Sequence, residues 1–142
     1  MHAQDQYVVG ASWSEAGFSQ IQYSIDNGYL DACDAVAYHP YGTDALEQSA
    51  RVMKVRGMIG STKPLWLTEW NLHLNNNKAA WADQLIDAAR LIAPYVQAVI
   101  HFRMVRTTQA AGYAAPYWLD GSTLLPTAGF SDKLVTALQA FA

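Results

Sequence analysis

Four times along this chain a short apolar run is followed by a segment with apolar residues at helical spacing, and this alternation restricts the fold more than any other feature. Tyr7 to Ala11 is the first run, and Phe18, Ile21, Ile25 and Leu30 recur near helical spacing after it. Asp34 to Tyr38 is the second, ending in His39-Pro40-Tyr41-Gly42. Thr43 or Asp44 can cap the helix that follows, whose apolar side is Leu46, Val52, Met53, Val55 and Ile59. Gly60-Ser61-Thr62 breaks that helix, and Pro64 to Thr68 opens the third run. Asn75, Asn76 or Asn77 can cap the next helix, which sets Trp81, Leu85, Ala88, Ala89 and Ile92 on one face before Pro94 stops it. Val96 to Phe102 is the fourth run; a long loop rich in Gly, Ala and Tyr then leads to Pro126-Thr127. Phe130, Leu134, Leu138 and Phe141 mark a last helix.

Strands that are apolar along most of their length, alternating with helices, predict a parallel sheet covered by helices. No linker or low-complexity tract interrupts residues 1–142, so a single domain is expected. Two architectures fit. An open doubly wound sheet binds phosphate-bearing ligands at a glycine-rich first turn. Gly10 to Gly17 lacks that G-x-G-x-x-G pattern, and no P-loop occurs elsewhere, so no cofactor is expected. A barrel collects its chemistry at the C-terminal ends of its strands. Polar and aromatic residues concentrate there: Trp13 and Glu15, His39 and Tyr41, then Glu69, Trp70 and Asn71, then Arg103. A complete barrel takes about 250 residues. The expected fold class is therefore α/β, a parallel (β/α)₄ half of a TIM barrel.

Composition removes several functions. A net charge of −3, with nine Lys and Arg together, does not supply the basic surface that nucleic acid requires. No apolar stretch approaches the roughly 20 residues needed to span a bilayer, so no membrane partner is expected. The residues after Met1 do not have the pattern of an export signal, and the cellular compartment stays open. Cys33 has no second cysteine to pair with and reads as a small buried side chain. His73 has no histidine or cysteine at ligand spacing, so no metal site is expected.

Lys63 to His73 reads Lys-Pro-Leu-Trp-Leu-Thr-Glu-Trp-Asn-Leu-His, a carboxylate at the mouth of a strand with an aromatic and an amide directly after it. His39 and Tyr41 stand at the matching end of the preceding strand, where an imidazole or a phenol can hold a carboxylate oriented. Asp34 to Gly42 followed by Pro64 to Asn71 resembles strands six and seven of the retaining glycoside hydrolases with (β/α)₈ barrels, the clan of many cellulases, mannanases, xylosidases and arabinofuranosidases. The resemblance runs across nearly the whole chain, as strands five to eight. It implies that Glu69 is the nucleophile at the end of the seventh strand. It further implies that His39 and Tyr41 line the subsite where the bond is cut, with Trp70 and Asn71 beside the nucleophile.

Cleaving a glycosidic bond passes through an oxocarbenium-like state that a carboxylate can capture as a covalent glycosyl-enzyme. A second carboxyl, roughly 5 Å away, protonates the leaving oxygen and then activates water. In the clan that partner is a Glu after an Asn at the end of strand four. No Asn-Glu pair occurs in this chain. Glu15 does not match that position and reads as a rim or helix-start carboxylate, and Asp34 as a residue that orders the start of its strand. Arg103 can bind a sugar hydroxyl or pair with Glu69. Trp13, Trp70 and Trp118 are candidate platforms for the apolar face of a pyranose, in a chain with five Trp and eight Tyr. Trp66, Trp81 and His101 read as core.

The expected substrate is a polysaccharide or oligosaccharide. Four parallel strands cut from a barrel leave two unpaired edges and an uncovered inner face, and such edges invite pairing. A homodimer or higher oligomer, or a complementary N-terminal half, is the expected protein partner.

Overall fold

The computed structural model describes residues 6–10, 12–14, 17–73, 78–102, 105–106, 117–120, 123–126 and 130–142. Four parallel strands form a sheet in chain order: β1 (Trp13–Ser14), β2 (Val36–His39), β3 (Leu65–Trp70) and β4 (Ala98–His101). The helices α1 (Phe18–Asp26), α2 (Ala45–Ile59) and α3 (Lys78–Ile92) connect consecutive strands. Each connection is thus a strand–helix–parallel strand unit, as the alternation predicts.

The local reasons for these elements are visible at their ends. Gly28, at a φ of 87°, takes the left-handed conformation that closes α1. Asp44 rather than Thr43 caps α2, its side chain accepting from Glu47 N at 2.8 Å. Glu47 reaches back in return, its Oε2 accepting from Thr43 N at 2.7 Å and Thr43 Oγ1 at 2.9 Å.

The core lies between sheet and helices. Val36, Tyr38, Leu65 and Leu67 face Val52, Val55 and Ile59 of α2 and Leu85, Ala88, Ala89 and Ile92 of α3. A fully buried leucine at such a site contributes about 1.5–3 kcal/mol. At the N-terminal ends of the strands, Arg56 clasps the layers together. Its guanidinium donates to Tyr95 O at 2.6 and 3.0 Å, Gly60 O at 3.1 Å, Lys63 O at 2.8 Å and Gln97 Oε1 at 3.0 Å. Gln97 Oε1 also accepts from Leu65 N at 2.7 Å. Asp34 acts at the same end, accepting from Val8 N at 2.7 Å.

Several sequence expectations need correction. In the expected run from Tyr7 to Ala11, residues 7–10 are described and form no continuous strand: Val9 makes one isolated parallel bridge to Ala35, and the paired residues of β1 are Trp13 and Ser14. Leu46 and Met53 are exposed, because the buried side of α2 runs through Ala45, Gln48, Ser49, Val52, Val55 and Ile59. Two polar residues thus occupy core positions that apolar periodicity passed over. In the last helix, α4 (Phe130–Gln139), Leu134 and Ala137 are buried and Leu138 faces out. The expected long loop contains a second, three-stranded sheet: β5 (Val105–Arg106) pairs parallel with β6 (Tyr117–Asp120), which pairs antiparallel with β7 (Thr123–Pro126). Among the described residues no helix is long and apolar enough to cross a membrane.

Candidate active site

Side chains alternate across a strand, and β3 obeys this as far as Thr68. Leu65 and Leu67 are buried against the helices, while Trp66 and Thr68 are only partly covered on the opposite side. Continued alternation would put Glu69 under the helices with the two leucines. There an ionised carboxylate would lose several kcal/mol of solvation.

A bulge prevents this. Trp66 pairs with Ala98, Leu67 with Val99 and Trp70 with His101, so β3 advances three residues while β4 advances two. The extra residue resets the alternation. Glu69 turns to the side of Thr68, and Trp70 goes into the core.

Glu69, with a side-chain exposure of 39%, then meets the end of β2. Tyr41 Oη donates to Glu69 Oε2 at 2.5 Å. His39 Nδ1 lies 3.6 Å from the same oxygen, an ion pair when the ring is protonated, and Nε2 is 3.0 Å from Thr68 Oγ1. One imidazole therefore spans two consecutive residues of β3. Tyr41 is only 4% exposed, and its ring is stacked on His73 at 5.5 Å and set edge-on to Phe102 at 5.8 Å between centroids. His73 N donates to Gly42 O at 2.8 Å, tying the loop after β3 to the loop after β2. The ring is thus held between His73 and Phe102 before its hydroxyl reaches the carboxylate. Chemically, the cluster is an oriented carboxylate, open to solvent on one side and hydrogen-bonded on the other.

The structure brings His39, Tyr41 and Glu69 together and places Trp70, Asn71 and Trp13 elsewhere. Trp70 is fully buried, its Nε1 donating to Gln48 Oε1 at 2.7 Å and its ring set edge-on to Phe141 and His101. It braces the strand from behind and offers no face to a sugar. Asn71 is equally buried: Nδ2 donates to Phe102 O at 2.8 Å and Oδ1 accepts from Leu72 N at 2.8 Å. Trp13 pairs in register with the buried Tyr38, and its ring packs on Tyr29 at 4.3 Å, on the helix side of the sheet. Trp66, expected in the core, lies on the opposite side and stacks on Tyr7 at 5.8 Å. Trp118 belongs to β6, where it pairs with Arg106 and Leu125. Arg103 and Glu15 lie outside the described residues, as do the side chains of Trp118 and Trp81.

Sequence reading passed over Thr68, His73, Phe102 and Gln48. Thr68 carried one usable signal, a hydroxyl beside the carboxylate in the sequence, but nothing in an apolar strand pattern shows that both side chains turn to one side. A groove of about 580 Å³ between α2 and α3, lined by Asp44, Leu46, Gln84, Asp87, Arg90 and Leu91, shares no residue with the Glu69 cluster. Among the described residues no group of three or more His, Cys, Asp or Glu is arranged to hold a metal ion.

No family model and no curated protein matches this sequence. Solved structures do match it in fold. An endo-β-1,3-glucanase of family GH128 from Amycolatopsis mediterranei superposes with a TM-score of 0.62 at 16% identity, over 94% of this chain and 58% of its own. A thermostable xylanase mutant from Cellvibrio japonicus gives 0.56 at 11% identity, over 89% of this chain and 49% of its own. A GH51 arabinofuranosidase from Xanthomonas axonopodis pv. citri gives 0.53 at 12% identity, over 100% of this chain and 35% of its own. The chain therefore spans about half the length of the xylanase it matches. These neighbours are TIM-barrel glycoside hydrolases. With its four parallel strands and covering helices, this chain has an α/β fold consistent with half of such a barrel.

Proposed function

We propose that this chain is the C-terminal (β/α)₄ half of a retaining O-glycoside hydrolase and contributes its nucleophile, Glu69. The observation that carries the reading is the Tyr41–Glu69 hydrogen bond of 2.5 Å at the C-terminal ends of two neighbouring parallel strands. In a barrel that is the end where chemistry takes place. Glu69 attacks the anomeric carbon as the bond to the leaving oxygen breaks, and the leaving oxygen takes a proton from a second carboxyl group. Water, deprotonated by that same group, then displaces Glu69 and releases the sugar. Tyr41 and His39 both hold Oε2, which orients the carboxylate and leaves Oε1 to attack.

The second carboxyl group comes, on this reading, from another (β/α)₄ unit. The edges β1 and β4 lack a further strand partner among the described residues, and Ile100 of β4 is exposed. Either a second copy of the chain or a complementary N-terminal half would close those edges. Sedimentation at micromolar concentration tests the first: a dimer supports the second copy, and a compact monomer counts against it.

Aryl glycosides with an acidic phenol as leaving group need little protonation, so they test the nucleophile without its acid partner. The neighbours suggest xylosides, glucosides and arabinofuranosides as the panel. The wild-type chain is expected to hydrolyse one of these, and Glu69→Ala to lose at least about 10³-fold in rate. Equal rates for the two proteins contradict the reading.

A further inference from the structure

Glu69 faces the open side only because β3 is bulged, which raises the question of what holds the bulge. The backbone alone does not, since an unbulged β3 would continue the ladder to β4 in register. The answer lies in a buried polar network outside the candidate site. Gln48, on α2, is completely buried, an unusual place for a glutamine. Its Oε1 accepts from Trp70 Nε1 at 2.7 Å and its Nε2 donates to the carbonyl of Asn71 at 2.8 Å. Asn71 in turn donates to Phe102 O at 2.8 Å, and Phe102 N donates to Trp70 O at 2.9 Å. One amide thus grips the two residues immediately after Glu69, and these are tied to the segment after β4.

We propose that Gln48 is a positioning residue for Glu69: by fixing Trp70 on the helix side and Asn71 behind it, it keeps the bulge in the register that presents the carboxylate to Tyr41. The proposal rests on the reading of Glu69 as the functional carboxylate. The physical reason is the cost of the alternative. Slipping Trp70 back to the open side would strip a buried indole N–H, a buried carbonyl and both ends of the Gln48 amide of their partners at once, and each buried polar group left without a partner is costly. A leucine at position 48 would fill the space and leave the bulge free to relax.

The test uses the whole chain carrying Gln48→Met, which keeps the side-chain length and removes both hydrogen bonds. Trp70→Phe is the second variant; it removes the indole N–H together with part of the ring and keeps an aromatic ring on the side of Phe141. The first readout is the proximity of the Tyr41 ring to the Glu69 side chain, measured as a nuclear Overhauser contact, which requires no activity. Gln48→Met is expected to lose that contact, and Trp70→Phe to weaken it. On the aryl glycoside that the wild type hydrolyses, kcat falls about 100-fold in Gln48→Met while KM stays within about twofold. Gln84→Leu is the control, since Gln84 Oε1 accepts from Ala45 N at 3.0 Å, an amide contact between α3 and α2 that involves no residue of the Glu69 cluster. It is expected to keep both contact and kcat. A folded Gln48→Met protein that retains the Tyr41–Glu69 contact overturns the proposal, and if that variant does not fold, an unchanged contact in Trp70→Phe does so. Loss of the contact in a chain without Glu69-dependent turnover upholds the positioning role and refutes the nucleophile reading alone.

Discussion

Thr68 and Glu69 are consecutive residues of one strand, yet both side chains meet the same imidazole. His39 Nε2 is 3.0 Å from Thr68 Oγ1, and Nδ1 is 3.6 Å from Glu69 Oε2. In a regular strand one of the two would point away from it. The one-residue bulge between Leu67 and Trp70 allows both to face it, and the candidate site depends on that local departure from regularity.

Tyr41→Phe removes the phenol that donates to Glu69 and leaves the buried ring against His73 and Phe102. A hydrogen bond to a charged group contributes about 1.5–3 kcal/mol, so kcat/KM is expected to fall roughly 10- to 100-fold if most of it serves orientation. Urea unfolding should show a midpoint close to wild type. An unchanged kcat/KM would remove Tyr41 from the site.

The opposite end of the sheet is expected to matter for stability only. Arg56→Ala breaks the bonds to the carbonyls of Tyr95, Gly60 and Lys63 and to Gln97. The expected loss is about 2–4 kcal/mol in a urea titration, because several carbonyls lose a charged donor together. Arg56→Lys should recover little, since an ammonium cannot reach these oxygens as a planar fork. Activity per folded molecule should not change.

Glu47 gives the fold a dependence on acid. The Thr43 backbone N–H, then the Thr43 hydroxyl, hold its carboxyl below the ordinary value of 4.5, and Arg51 adds to this. The unfolded chain therefore takes up a proton at this residue before the folded one does. The contribution to stability is complete above pH 4.5 and is lost as the pH falls through the lower folded value. Glu47→Gln should be less stable than wild type at neutral pH, and the gap in urea midpoints should close in acid. A gap that is constant with pH would contradict this.

How much of this was legible beforehand differs from element to element. The four strand–helix units could be read because strands buried under helices are apolar along their length, as in Ala35-Val36-Ala37-Tyr38 and Leu65-Trp66-Leu67. The convergence of His39, Tyr41 and Glu69 followed from parallel strands delivering their C-terminal ends to one side. The bulge could not be read, because Leu-Trp-Leu-Thr-Glu-Trp suits an unbroken strand equally well. The resemblance implies that Trp70 and Asn71 sit beside the nucleophile at the rim, whereas they form its buried support. Gln48 was invisible for a related cause: a glutamine on a helix reads as solvent-facing until a buried indole and a carbonyl claim both ends of it. The hairpin of β6 and β7 did leave a trace, since Gly121-Ser122 between Asp120 and Thr123 is a common two-residue hairpin connection.

Trapping the covalent intermediate is the most direct measurement of the central claim. A 2-deoxy-2-fluoro glycoside with an activated leaving group slows both steps but leaves formation of the glycosyl-enzyme faster than its hydrolysis, so the adduct accumulates. The mass of the intact chain is expected to rise by one fluoroglycosyl unit, located by peptide sequencing on Glu69 and absent from Glu69→Ala. A label on any other residue, or none on a chain that hydrolyses the parent glycoside, would contradict it.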